Sequence, residues 1–228
     1  MLTITEALKR RISTREFLPR PLAEPLLREI LDAARWSPSG GNLQPWKVIA
    51  VAGPERTAVI DLARRIHAAD GPDESIDRPV YPPNLWEPYR SRRFKVGEDM
   101  YGMLRIPRSD RPARLARFER NFEMFGAPVG LFFVIDERMG HGQWAHLGMF
   151  MQSIALAALE RGVSSCMQEA WATLRLSLKK HFELPQHELI YCGMALGYAD
   201  ETAPVNSLRS ERAPVEEFAT FRGFAPRA

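Results

Sequence analysis

The run Pro128-Val-Gly-Leu-Phe-Phe-Val-Ile135 limits how this chain can fold more than any other stretch. It carries no charge and no hydrogen-bonding side chain. A strand with one wet face would alternate, so a continuous apolar run marks a central strand buried on both faces. Residues 144–162 follow as a long helix ended by Gly162 at its C′ position. Its apolar residues, among them Leu147, Met149, Phe150, Met151, Ile154, Leu156, Ala157 and Leu159, wrap nearly all round. Such a helix is buried, in the core, at a subunit interface, or in both.

The other elements are shorter. Thr3-Ile-Thr-Glu6 has the form of a capping box, and Ile4, Ala7, Leu8 and Arg11 then recur at helical spacing. Leu22, Leu26, Ile30, Leu31 and Ala34 mark a second amphipathic helix, with Pro25 tolerable in its first turn. Residues 47–52 are strand-like, and Pro54 begins a third helix on Val59, Leu62, Ala63 and Ile66. Residues 164–169 and 189–196 read as strands around a helix at 174–182. With 228 residues, 45% of them hydrophobic, the chain can bury one sizeable core, and it reads as a single domain.

Charge and composition exclude several classes. The net charge is only +3, and basic residues are interleaved with acidic ones, which argues against nucleic acid as a partner. No apolar run is long enough for a membrane span, and Met1-Leu-Thr-Ile does not begin a signal peptide. Cys166 and Cys192 are the only cysteines, which fits a reduced, cytoplasmic protein. His67, His141, His146, His181 and His187 show no metal-ligand spacing, so no metal is expected.

Two segments carry the candidate chemistry. Ser37-Pro-Ser-Gly-Gly-Asn-Leu-Gln-Pro-Trp46 joins the second helix to the first strand. Gly40 and Gly41 allow close backbone approach, Ser39, Asn42 and Gln44 add directional polar groups, and Pro38 and Pro45 stiffen the loop. That composition suits a grip on a planar polar ligand, and it suits a glycine-rich surface loop equally. Arg10-Arg-Ile-Ser-Thr-Arg-Glu-Phe17 gathers three arginines and two hydroxyls. Guanidinium forks and hydroxyls are what a dianionic phosphate requires, and a basic helix end is the simpler alternative.

Together, Arg11-x-Ser13-x-Arg15 and residues 37–46 resemble the FMN-dependent nitroreductase family, and the insert at residues 81–93 is similar to the subgroup that includes nitrobenzoate reductases. The resemblance covers roughly residues 1–52 and 126–228. It implies an α+β fold: a central, mostly antiparallel sheet flanked by helices, with the C-terminal extension exchanged in a homodimer. By the same resemblance Arg11, the main chain of Ile12, Ser13 and Arg15 hold the FMN phosphate and ribityl chain. Pro38, Ser39, Gly40 and Asn42 form a loop donated by the other subunit. The main chain at Met167, Gln168 and Glu169 approaches the flavin edge, although the family often has Pro and Gly where Met167 and Ala170 stand. Arg212 matches a basic position near the C-terminus, with Arg209 substituting for a neighbour that is Ser210 here. Asn121 is the candidate for a further polar contact.

Residues 70–123 form an insertion dense in proline, arginine and aromatic side chains, partly helical near 97–103 and 111–122. It reads either as a lid or as packing against a second subunit. Trp86 and Tyr89, beside Arg90, Arg92 and Arg93, are the candidate acceptor contacts. The tail at 203–228 has apolar residues but no evident partner in its own span, and the resemblance makes residues 215–221 an edge strand on the other subunit. The implied activity is NAD(P)H oxidation coupled by ping-pong hydride transfer to a small nitroaromatic or quinone-like acceptor, with NADH or NADPH as donor. FMN carries the chemistry, so no catalytic side chain is expected. A non-catalytic flavin-binding protein and a dehalogenase-like flavoenzyme on the same fold remain open alternatives.

Overall fold

Strand β2 (Val129–Asp136) lies inside the sheet and is buried along nearly its whole length, as its continuous apolar run predicts. A computed structural model describes residues 2–69, 71, 73–75 and 78–224; Asp70, at the start of the insertion, and Pro226, in the tail, lie outside the described residues. β2 pairs antiparallel with β1 (Lys47–Ala52) on one side and with β4 (Glu188–Gly197) on the other, and β3 (Ser164–Gln168) closes the far edge against β4. Side chains of β2 alternate between two cores. Val129, Leu131, Phe133 and Ile135 enter one with helices α2 (Glu24–Ala34) and α6 (His141–Glu160). Phe132 and Val134 enter the other with α3 (Gly53–Ala68), Trp171 and α7 (Arg175–His181). The result is a sheet with helices on both faces.

The pairing of β2 with β4 slips once, between Phe133↔Cys192 and Val134↔Ile190, so Tyr191 is an extra residue bulged out of the ladder. Side-chain parity changes there. Ile190 packs into one core, whereas Cys192, Met194 and Leu196 pack into the other. A bulge of this kind re-aims one side chain out of the regular alternation. Both thiols are buried and unpaired.

Helix α1 (Ile4–Arg10) opens with the expected capping box between Thr3 and Glu6. In the insertion, α4 (Tyr89–Met103) begins well before the expected 97–103, and α5 (Arg111–Glu119) is capped by Asp110. The early turns of α4 carry Arg90, Ser91, Arg92 and Arg93, with no buried residue, so no apolar period announces them. The helix expected to reach Phe122 ends sooner. Residues 120–126 tighten into 3₁₀ turns, with Met124 and Phe125 at φ of 55° and 52°. The tail also departs from expectation. Val215–Phe218 is a single helical turn, α8, in place of a strand. Its partners lie within the chain, for Glu217 pairs with Arg92 at 2.6 Å and Glu211 with Lys95 at 3.2 Å. Phe218, Phe221 and Phe224 stay exposed.

Two close approaches test how rigid the second core is. A Cβ on Gly193 would sit 2.4 Å from Cδ1 of Trp171, an indole wedged edge-on between Phe122 and Phe132. A Cβ on Gly130 would meet the thioether of Met124 at the same distance, but that chain can swing aside. Gly193→Ala is expected to destabilise by about 1–3 kcal/mol, and Gly130→Ala by less. Urea denaturation midpoints of the two variants check the order; the reverse order would show that the indole yields and the thioether does not.

Candidate active site

Residues 11–16 run extended from the end of α1 along β3. Thr14 N donates to the Ser165 carbonyl at 3.0 Å. The amide of Asn206 grips the next two residues: its Oδ1 accepts from Arg15 N at 2.8 Å, and its Nδ2 donates to the carbonyls of Glu16 and Asp200, both at 2.8 Å. Arg117 adds a 2.7 Å bond to the Arg15 carbonyl. With the backbone held this way, Arg11, Ile12, Ser13 and Arg15 line a cleft of about 680 Å³ together with Arg209, Ser210 and Arg212. The C-terminal segment therefore comes back to the first motif, and all four expected arginines share one cleft.

Among the described residues, none of Arg11, Arg15, Arg209 and Arg212 pairs with a carboxylate. Their bonds go to neutral oxygens: Arg15 to the Ser13 carbonyl, Arg209 to the carbonyls of Asn206 and Leu208, and Arg212 to Ser210. Several arginines elsewhere find acids, as Arg114 does in a two-pronged pair with Glu98. Burial, and then the nearby Arg212 guanidinium, lower the Arg11 pKa from its ordinary value, although arginine stays charged at any working pH. Clustered cations with no acid between them form a site for an anion. Cys166 lies beneath them. Its burial pushes the thiol pKa up against the pull of Arg15, Ser13 and Arg11, so it sits there as a neutral thiol.

A second cleft, of about 840 Å³, opens where β3 ends. Met167, Gln168, Glu169 and Ala170 form one wall, and Tyr81, Pro82 and Arg93 of the insertion form the other. Gln168 is 2% exposed; its Nε2 donates to the Asn121 carbonyl at 2.7 Å, while its Oε1 is buried without a partner. That leaves a buried acceptor beside the cleft, short of one N–H donor. The bulged Tyr191 also reaches this cleft, with a long 3.5 Å contact from its hydroxyl to Glu169. Burial and then the Glu169 carboxylate push the phenol up to about 12, and burial raises the Glu169 carboxyl.

The two clefts adjoin. Helix α6 gives Gln152 to the first and Gly148 to the second, positions one turn or about 6 Å apart. Helix α4 does the same with Val96 and Arg93. A ligand with an anionic end and a flat polar body can lie across both.

Other expected site residues stand elsewhere. Pro38, Ser39, Gly40 and Asn42 line neither cleft in this chain. Their loop packs on α6, where Gly40 N meets Nδ1 of His146 at 3.3 Å and Ser37 bonds Ser153 at 2.7 Å. Left-handed backbone at Gly41, Asn42 and Gln44 folds it tightly, and Ser39 Oγ accepts from Gln44 N. Trp86 and Tyr89 also line neither cleft; they meet edge to face at 5.6 Å on the outer surface. Tyr81 and Arg93, from the same stretch of sequence, line the second cleft instead. Sequence reasoning missed Asn206, Gln152 and Tyr191. Neither Asn206 nor Tyr191 had a local signal: a lone amide among turn residues reads as a turn, and a bulge leaves no mark in an apolar strand.

A model of the nitroreductase family matches residues 8–198. A 4-nitrobenzoate reductase of Pseudomonas putida is 40% identical over 94% of this chain and 93% of its own length. A nitrobenzene nitroreductase of Ectopseudomonas oleovorans is 34% identical over 96% of each. Among solved structures, an FMN- and NADPH-dependent nitroreductase, NfnB from Sphigopyxis sp. strain HMH, superposes with a TM-score of 0.93 at 40% identity, covering 98% of this chain and 100% of that one.

Asn206 is the fastener of the first cleft, so its loss should be felt in stability. Asn206→Ala leaves the N–H of Arg15 without its partner and removes one of two donors from the Glu16 and Asp200 carbonyls, which keep Asp200 N and Ala203 N. A cost of about 1–3 kcal/mol is expected, read as a lower urea midpoint. A midpoint equal to that of the parent would mean water replaces the amide in full.

Proposed function

The chain belongs to the nitroreductase family, and we propose that it is an FMN-dependent NAD(P)H oxidoreductase that reduces nitroaromatic small molecules. The observation that carries this reading is the set of four arginines with no acid among them. Ser13 and Ser210 add hydroxyls at the same place. This donor set fits a terminal dianionic phosphate, and the partnerless Oε1 of Gln168 fits an N–H on a flat ring system one cleft away. FMN has both features, and when bound it supplies the two-electron redox chemistry between a nicotinamide and a nitro group.

The protein's part is to bind and orient. Arg11, Ser13, Arg15, Arg209 and Arg212 hold the phosphate, with Ile12 contributing main chain between them. Met167, Gln168 and Glu169 set the position of the ring. NfnB is described as NADPH-dependent, which favours NADPH as donor, with NADH the alternative. The relatives are named for both a carboxylated and an uncharged nitroarene, so family membership alone does not choose between acceptor charges.

We further propose a homodimer in which Pro38, Ser39, Gly40 and Asn42 complete the partner's site. Apolar side chains stand exposed around that loop and the face of α6 beside it: Trp36 at 80%, Leu43 at 57% and Met149 at 47%. Isolated exposed apolar residues are ordinary, but a group of them on one face marks an interface. The single helical turn at 215–218 leaves its aromatic residues free to pack on a second copy.

Three measurements test these readings. The purified protein should be yellow, and anaerobic NADPH or NADH should bleach the flavin band, which a nitroarene then restores. A flavin that neither nucleotide bleaches would favour simple storage. Arg11→Met should weaken FMN binding roughly tenfold to a hundredfold, while the apoprotein keeps or gains stability, because an unpaired, half-buried cation has been removed. Unchanged FMN affinity would remove the phosphate from this cleft. Light scattering at micromolar concentration should give twice the chain mass, and a monodisperse FMN-loaded monomer would overturn the shared site.

A further inference from the structure

We propose that Arg93, stacked on Tyr81, is a carboxylate clamp that makes this protein prefer planar aromatic acceptors bearing a carboxylate over uncharged ones. The inference rests on the nitroreductase reading only in taking the second cleft as the acceptor site. Both residues line that cleft opposite Met167 and Gln168. The guanidinium of Arg93 lies 4.2 Å from the centroid of the Tyr81 ring, so the ring face fixes its plane.

What distinguishes Arg93 is its lack of an acid. On the same helix Arg90 pairs with Glu87 and Arg92 with Glu217. Arg114 holds Glu98, and Arg120 holds Glu16 and Glu123. Arg93 has no carboxylate partner among the described residues. It is therefore left with a full set of in-plane donors while its face is covered by a phenol ring. A guanidinium in that state binds a carboxylate edge-on, with two parallel hydrogen bonds.

The rest of the wall suits an aromatic acid. Pro82, Pro83 and Phe118 are apolar, and of the two acids that line the cleft Asp73 accepts from the Ser75 amide and hydroxyl. Glu169 lies on the opposite wall, paired with Tyr191. An acceptor whose carboxylate meets Arg93 directs its other end toward the β3 wall, where the ring of the cofactor is proposed to lie. Uncharged nitroarenes can still enter, but nothing on this wall fixes their orientation.

The test uses the FMN-loaded protein and two acceptors that differ by one carboxylate, 4-nitrobenzoate and nitrobenzene, with benzoate as a ligand that cannot be reduced. Arg93→Gln should lower the 4-nitrobenzoate-to-nitrobenzene ratio of kcat/KM roughly tenfold, chiefly through KM. It should raise the Kd of benzoate, read from the flavin absorbance or by calorimetry, by a similar factor. Arg93→Lys should recover part of both losses, since a point charge keeps the attraction but not the two-pronged geometry. An unchanged ratio, or a benzoate Kd that does not depend on Arg93, overturns the clamp. If neither acceptor reoxidises the reduced flavin but benzoate binding still depends on Arg93, the nitroreductase reading fails and the clamp stands.

Discussion

On folding, the guanidinium of Arg11 is partly buried and gains another guanidinium, that of Arg212, as its neighbour. Both changes are unfavourable, since burial and a like charge each penalise the charged form. A fold tolerates such a place only if the backbone beneath it is held by other means. Here the fastening is neutral. The Asn206 amide spans three backbone groups, Thr14 joins the edge of β3, and Arg117 caps the Arg15 carbonyl. Arg117 shares the Glu16 carboxylate with Arg120, so its charge is partly offset. The positive potential that remains belongs to the first cleft, and an anion placed there relieves the strain of building it.

The second cleft depends on one irregularity in an otherwise regular sheet. Had β2 and β4 paired without a slip, Tyr191 would have pointed away from the face that holds Cys192. The bulge turns it onto that side, where it meets Trp144 edge to face at 5.8 Å and reaches Glu169. Beside it, β3 ends at Gln168 and passes into a 3₁₀ turn, so the last strand residues offer main-chain groups that no neighbouring strand consumes. A sheet edge, a bulge and a tight turn in one place give directed polar groups on a rigid base.

Legibility followed how local the cause was. β1 spans residues 47–52 as its apolar pattern requires, and the long apolar helix ends before Gly162 as read, although it begins at His141, three residues earlier than expected. The arginine cluster was legible for a different reason: three residues of one short motif share a cleft as soon as the chain runs extended. Asn206 was not legible. Its role depends on a partner 191 positions away in sequence, and nothing local distinguishes it from a turn residue. The insertion was half legible. Its aromatic and basic content pointed to a wall, but Trp86 and Tyr89 turn outward while Tyr81 and Arg93 turn inward, and composition is blind to that choice. The strand expected at 215–221 failed similarly, since one helical turn there satisfies Glu217 against Arg92 within the same chain.

The two clefts share their floor and their roof, but the two are held by different forces. The floor is β3, β4 and α6, with Leu147, Ile154, Ala195 and Leu196 fully buried behind it. Moving any of it opens voids in close-packed core, which costs several kcal/mol per large side chain. The roof is α4, which has no fully buried residue and is tied down by Arg92–Glu217, Lys95–Glu211 and Arg114–Glu98. The first two are exposed pairs, which contribute about 0–1 kcal/mol each and weaken in salt, whereas Arg114–Glu98 is a partly buried, two-pronged pair. An anion in the first cleft would meet the rigid part through residues 11–15, while Arg93 and Tyr81 line the second cleft from the part that is easier to shift. Substitutions in the roof can re-aim the acceptor wall without touching the core, and substitutions in the floor cannot.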